Sequence, residues 1–142
     1  MAIYSLSLNT TVTTTGASAG DLLASATNAP RLMEFGATLG AATASTYGLG
    51  RSGNTPTQTG AVAFQAENPN DPASQTNAAV AFGTAPTVPT QFFRRFGLPG
   101  TIGAGFIVTF PRGLILTSAK GFEFWNLATN SANTNFYAVI DE

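Results

Sequence analysis

Four of the seven carboxylates, Glu34, Glu67, Asp71 and Glu123, could in principle supply an acid–base pair in this sequence. Glycoside hydrolysis needs two of them facing each other at about 5–10 Å, yet none sits in a recognisable motif. Solvated charges or structural partners for the arginines explain them more simply. Glu67 and Asp71 bracket ENPND, whose oxygens suit calcium but lack EF-hand spacing and charge, so an Asx-rich turn is the default there. Histidine and cysteine are both absent. That removes the commonest general base, the thiolate nucleophile and most metal-ligand sets. Serines and threonines are plentiful, but no histidine exists to activate them, and a Ser–Lys pair can be written only with Lys120 in the turn SAKG. The glycine-rich GLGRSG (48–53) and GTIGAG (100–105) lack the Lys-Ser/Thr and the following helix of a phosphate loop. The sequence predicts no enzyme, no cofactor and no metal.

The cations tell a different story. Arg94 and Arg95 lie between Phe93 and Phe96, a mixture that can grip nucleic acid through phosphate contacts and stacking. A pI near 5.2 and the lack of a basic patch elsewhere argue against that partner. Adjacent residues of a strand face opposite sides, so one arginine must point where its neighbour does not, and a buried one needs a carboxylate. Arg94 and Arg95, with Arg112 in FPRG, are therefore expected to make contacts between strands or between subunits.

The elements that position these groups are strands. From Phe92 to Leu127 the apolar runs are broken by LPGTIGAG, FPRG and SAKG into pieces that suit strands of about 5–6 residues. Phe106, Val108 and Phe110 alternate with Ile107 and Thr109, and Phe122 and Phe124 with Glu123 and Trp125, which predicts sheet buried on both faces near its centre. Upstream, 2–12 alternates with Tyr4, Leu6 and Leu8 on one face; 13–20 is small and polar, a loop or pliable arm. Strands follow at 22–27, at 31–39 with Met33, Phe35, Ala37 and Leu39 inward, at 45–49, at 61–66 with Val62 and Phe64 inward, and at 78–82. As a helix, LMEFGATLGAATA would hold two interior glycines at about 1 kcal/mol each. Segments 50–60 and 67–77 read as loops, 129–133 as a turn, and 135–141 as the closing strand. Eight to ten short strands with turns between them predict an all-β, two-layer antiparallel sandwich. Long early connections and tight later ones favour a jelly roll.

The 142 residues make one domain, 1–142, with a flexible arm expected around 10–20. Charged residues are 9% of the chain, against about 25% in ordinary domains, and the net charge is −1. A surface this poor in charge is either committed to partners and copies of itself, or is the Thr/Asn coat of an extracellular β domain. No apolar run approaches the roughly 18–20 residues of a membrane span, and the first residues do not read as a signal peptide. A cytoplasmic product, or one exported without a classical signal, is expected, with no membrane partner.

RLMEFGATL, FFRRFGLPGTIGAGFIVTFPRGLIL and GFEFWNLATNSANTNFYAVIDE together resemble small β-sandwich virion proteins of tailed bacteriophages, among them capsid decoration (cement) proteins and minor tail proteins. The resemblance implies a homotrimer on the virion surface, assembled in the host cytoplasm, that clamps neighbouring major capsid protein subunits. It carries no functional residue over to this chain. The alternative is a tail-associated or lectin-like module reading cell-surface glycans, for which Tyr47, Trp125 and Tyr137 are the aromatic platforms.

Overall fold

The computed structural model describes residues 2–11, 14–128 and 133–142. Thirteen strands occur among them: β1 (Ile3–Thr10), β2 (Ser18–Leu23), β3 (Arg31–Leu39), β4 (Ser45–Gly50), β5 (Thr57–Thr59), β6 (Val62–Ala63), β7 (Gln65–Ala66), β8 (Asn77–Ala79), β9 (Ala81–Thr84), β10 (Arg94–Leu98), β11 (Gly105–Ile115), β12 (Phe122–Asn126) and β13 (Thr134–Asp141). One sheet runs β11-β3-β13-β1-β7 and the other β10-β4-β12-β2-β8-β6, with a separate β5-β9 ribbon. All pairings are antiparallel, as the sequence predicts. The pairs β1–β13, β2–β12, β3–β11 and β4–β10 nest from the outside inward. That nesting is a hairpin rolled around a core, the winding of a jelly roll.

Phe35 is the hub. Its ring centroid lies 4.9 Å from that of Phe122, 5.3 Å from Phe124 and 5.8 Å from Phe136, so aromatic edges from both sheets meet on one side chain. The alternation in 31–39 holds for Phe35, Ala37 and Leu39 but not for Met33. A bulge between Val139 and Ile140 shifts the register, Ile140 pairs with Leu32, and Leu32 takes the inward place. Val62 likewise points outward, because the run 61–66 is not one strand. β6 pairs with β8 in one sheet and β7 with β1 in the other, so the chain crosses between layers at buried Phe64.

Two other expectations change. Ser18–Gly20, read as part of a loop or arm, begins β2 inside the six-stranded sheet, where the Gly16 N–H donates to the Asn126 carbonyl and the Asn126 N–H to the Ala17 carbonyl beside it. The apolar runs on either side of FPRG, expected as separate short strands, form the single strand β11, bulged between Thr109 and Leu114 around Pro111, Arg112 and Gly113, whose φ of 66° a side chain would strain. β11 is an edge strand with its outer face open, whereas every residue of β12 is buried. The expectation of burial on both faces therefore holds for β12 and fails for β11. Val12, Thr13 and most of the 129–133 turn fall outside the described residues.

Candidate functional site

Glu123 is the one acid–base candidate that the fold brings to another carboxylate, and its partner is Asp21. The two are directly opposite across the β12–β2 ladder, on the outer face of the six-stranded sheet, and both are fully buried. Ser18 donates its hydroxyl to Glu123 Oε2 at 2.9 Å, and Gln58 of β5 donates Nε2 to Asp21 Oδ2 at 3.2 Å. The remaining oxygens, Asp21 Oδ1 and Glu123 Oε1, have no hydrogen-bond partner. Two buried carboxylates facing each other favour protonation, and more strongly at Glu123. Burial pushes the Asp21 carboxyl up to about 7. Burial, followed by the facing Asp21 charge, pushes Glu123 up to about 10. No substrate can reach a pair sealed this way, so its chemistry is a held proton and its role is to fasten the β5–β9 ribbon to the sheet.

The ribbon is part of a larger cover. Phe92 packs so tightly on Gly48 that an added Cβ would lie 2.6 Å from the ring, and Pro89 closes on Gly50. Trp125, the cross-strand neighbour of Gly48, is fully buried. The six-stranded sheet is thus roofed by the chain itself.

Among the described residues the five-stranded sheet has no such roof. Its outward rows read Gly105–Thr38–Asn135–Asn9, Ile107–Gly36–Tyr137–Ser7, Thr109–Glu34–Val139–Ser5 and, at the far end, Ile115–Arg31–Asp141–Ile3. Tyr137 lies flat across Gly36, where a Cβ would come within 2.3 Å of the ring, and donates its hydroxyl to Glu34 Oε1 at 2.7 Å. That bond to a carboxylate, then burial, pushes the phenol up to about 12. Hollows of about 430 Å³ and 400 Å³ flank the ring, one toward Val62 and Gln65 and the other toward Ile107 and Gly103. Glu34 is the only charged side chain in the first three rows, and the fourth sets Arg31 beside Asp141. The strand ends Thr10, Leu39, Gly105 and Thr134 converge at one end of this sheet, and the flanking segments 10–20, 39–45, 98–105 and 126–134 contain no charged residue.

The other sequence candidates separate. Asn68 Oδ1 accepts from the Asn70 backbone at 3.1 Å, an Asx turn, and among the described residues no three acidic groups cluster as metal ligands. Lys120 Nζ reaches the carbonyls of Ser52 and Gly53, which rules it out as a serine's base in this conformation. Arg94 and Arg95 are both exposed on the edge strand β10. Arg94 donates to the Phe93 carbonyl at 2.8 Å, and the Arg95 guanidinium sits 4.7 Å over the Phe92 ring. Arg112 occupies the β11 bulge, its carbonyl accepting from Arg31. The three arginines thus lie on sheet edges, where charge discourages unwanted strand pairing. Tyr47 and Trp125, offered as glycan platforms, are core residues at 1% and 0% exposure, and only Tyr137 remains reachable. Asp21 escaped the sequence reading because SAGDLL was split between a loop and a strand; nothing in the sequence pairs it with Glu123, 102 positions away. No known family model matches the chain, and no curated protein is significantly similar to it.

Proposed function

We propose that this chain is a structural virion protein that decorates and stabilises a phage capsid as a homo-oligomer in contact with coat subunits. The observation that carries the reading is the part of the five-stranded sheet's outer face around Tyr137, where three rows hold one charge, continuous with an end of the sandwich whose described residues carry none. A free protein gains solubility from charge. A face of Ser, Thr, Asn and Tyr with one charge per three rows instead suits a subunit contact held by hydrogen bonds and apolar burial, insensitive to salt. Such a protein would be assembled in the host cytoplasm and finish on the virion surface. Co-sedimentation with empty capsids tests the reading: the protein should pellet with them, and Tyr137→Ala with Asn135→Ala should weaken that binding about tenfold. A protein that ignores capsids at saturating concentration overturns it.

A second reading has one observation in its favour. Tyr137, half-buried between two hollows and ringed by Asn, Ser and Thr, is the arrangement a glycan platform needs. A glycan array without hits removes it.

A further inference from the structure

The sandwich has several strand edges, and they are not equally defended. On the far flank, β6 and β7 are two residues each, too short to template a partner strand. On the near flank, β10 carries Arg94 and Arg95. β11 is different. From Gly105 to Phe110 it runs GFIVTF, regular, uncharged and paired to β3 on one side only. In an antiparallel strand with one neighbour, alternate residues direct their N–H and C=O away from that neighbour, here toward solvent. The devices that usually blunt an edge, a proline, a charge and a bulge, all stand in this strand, but only past Phe110, at Pro111, Arg112 and Gly113.

We infer that the Gly105–Phe110 edge of β11 pairs with the same edge of a second copy, antiparallel about a two-fold axis at Ile107, joining two five-stranded sheets into one. The occupant is a second copy because the segment is complementary to itself. Its ladder has a natural stop at each end: Pro111 has no N–H, and Gly103, with φ 84°, has left the extended conformation. These two stops lie four residues either side of Ile107, so centring the axis there sets Gly103 of each copy opposite Pro111 of the other. Gly105 then faces Thr109, and the two Arg112 residues stand at opposite ends of the ladder. Ile107, 65% exposed and the most exposed large apolar side chain of any strand among the described residues, lies at the centre of this seam. Uncharged, β-branched side chains paired across an antiparallel ladder are the favourable case. The arginines of β10 belong to the other layer, about 10 Å away, so added salt should tighten the pair slightly rather than loosen it.

The inference deepens the homo-oligomeric reading above and makes its order two-fold, where the resemblance to decoration proteins implies three. Sedimentation equilibrium on the full chain up to about 100 μM, where a micromolar contact is saturated, should show dimer. Ile107→Lys should weaken it by roughly tenfold or more, while Ile3→Lys, exposed on the same sheet at its other side, should leave it unchanged. Amide exchange at 105–109 should slow with protein concentration in the wild type and not in Ile107→Lys. A monomer throughout that range, a trimer, or a dimer indifferent to Ile107→Lys each overturns the inference. Capsid co-sedimentation of the Ile107→Lys protein separates the two ideas. If it still binds capsids without dimerising, both stand; if the wild type dimerises but ignores capsids, only the capsid reading fails.

Discussion

The two outer faces of this sandwich start from the same kind of polymer and end differently. On the six-stranded side, Asp21, Glu123 and Trp125 point outward from the ladder and yet are fully buried, because β5, Pro89 and Phe92 lie over them. On the five-stranded side, Tyr137, Glu34, Thr38 and Asn135 point outward and nothing among the described residues roofs them. An outward strand position is therefore not the same as a surface position. Where the chain builds a roof, outward residues take on the character of core, including shifted protonation. Where it does not, they remain available to another molecule.

Breaking the roof should have the largest effect. Trp125→Ala removes a fully buried indole and should cost about 3–5 kcal/mol by denaturant unfolding. Tyr137→Ala, on the unroofed face, should cost less than half as much; equal losses would erase the contrast between the faces.

Next comes pH. Both buried carboxyls are raised in the folded state above unfolded values near 4. The folded protein therefore holds protons that the unfolded chain releases. This stabilisation is complete below about pH 4 and is lost as pH rises, through about 7 for Asp21 and on toward about 10 for Glu123. Each proton held is worth about 1.4 kcal/mol per pH unit, so stability should fall by at least roughly 2 kcal/mol between about pH 5 and about pH 8. Glu123→Gln keeps a donor toward Asp21 and should flatten the decline in thermal melts. A wild type that gains stability over that interval would contradict the raised carboxyls.

Smaller effects sharpen the open face. Gly36→Ala puts a methyl 2.3 Å from the Tyr137 ring and should cost about 1–3 kcal/mol as the ring is displaced. Glu34→Gln should bring the Tyr137 phenol down from about 12 toward its ordinary 10, read by ultraviolet titration. Ile3→Lys, 40% exposed, should change stability by no more than about 0.5 kcal/mol.

Legibility divides along similar lines. The strand at 31–39 was readable to the residue, since apolar alternation and turn-forming flanks are local signals. Met33 and Val62 were misdirected because a bulge and a layer crossing each change the phase of that alternation, and both depend on what the partner strand does. Arg94, Arg95 and Arg112 were picked out for contacts without the edge positions that give them meaning. Asp21 was passed over, since its importance comes wholly from Glu123 across the ladder.

What the residue order alone determined was the class of matter: short pleated segments, two layers, a lightly charged exterior, and no histidine or cysteine chemistry. Period-two patterning and composition are properties of neighbours in the chain, so they survive without coordinates. The tertiary structure decided which strands became edges, which outward face received a roof, and which two carboxyls came to face each other. Those are matters of cross-strand registry between segments about a hundred residues apart, and nothing in a local pattern encodes who the partner will be.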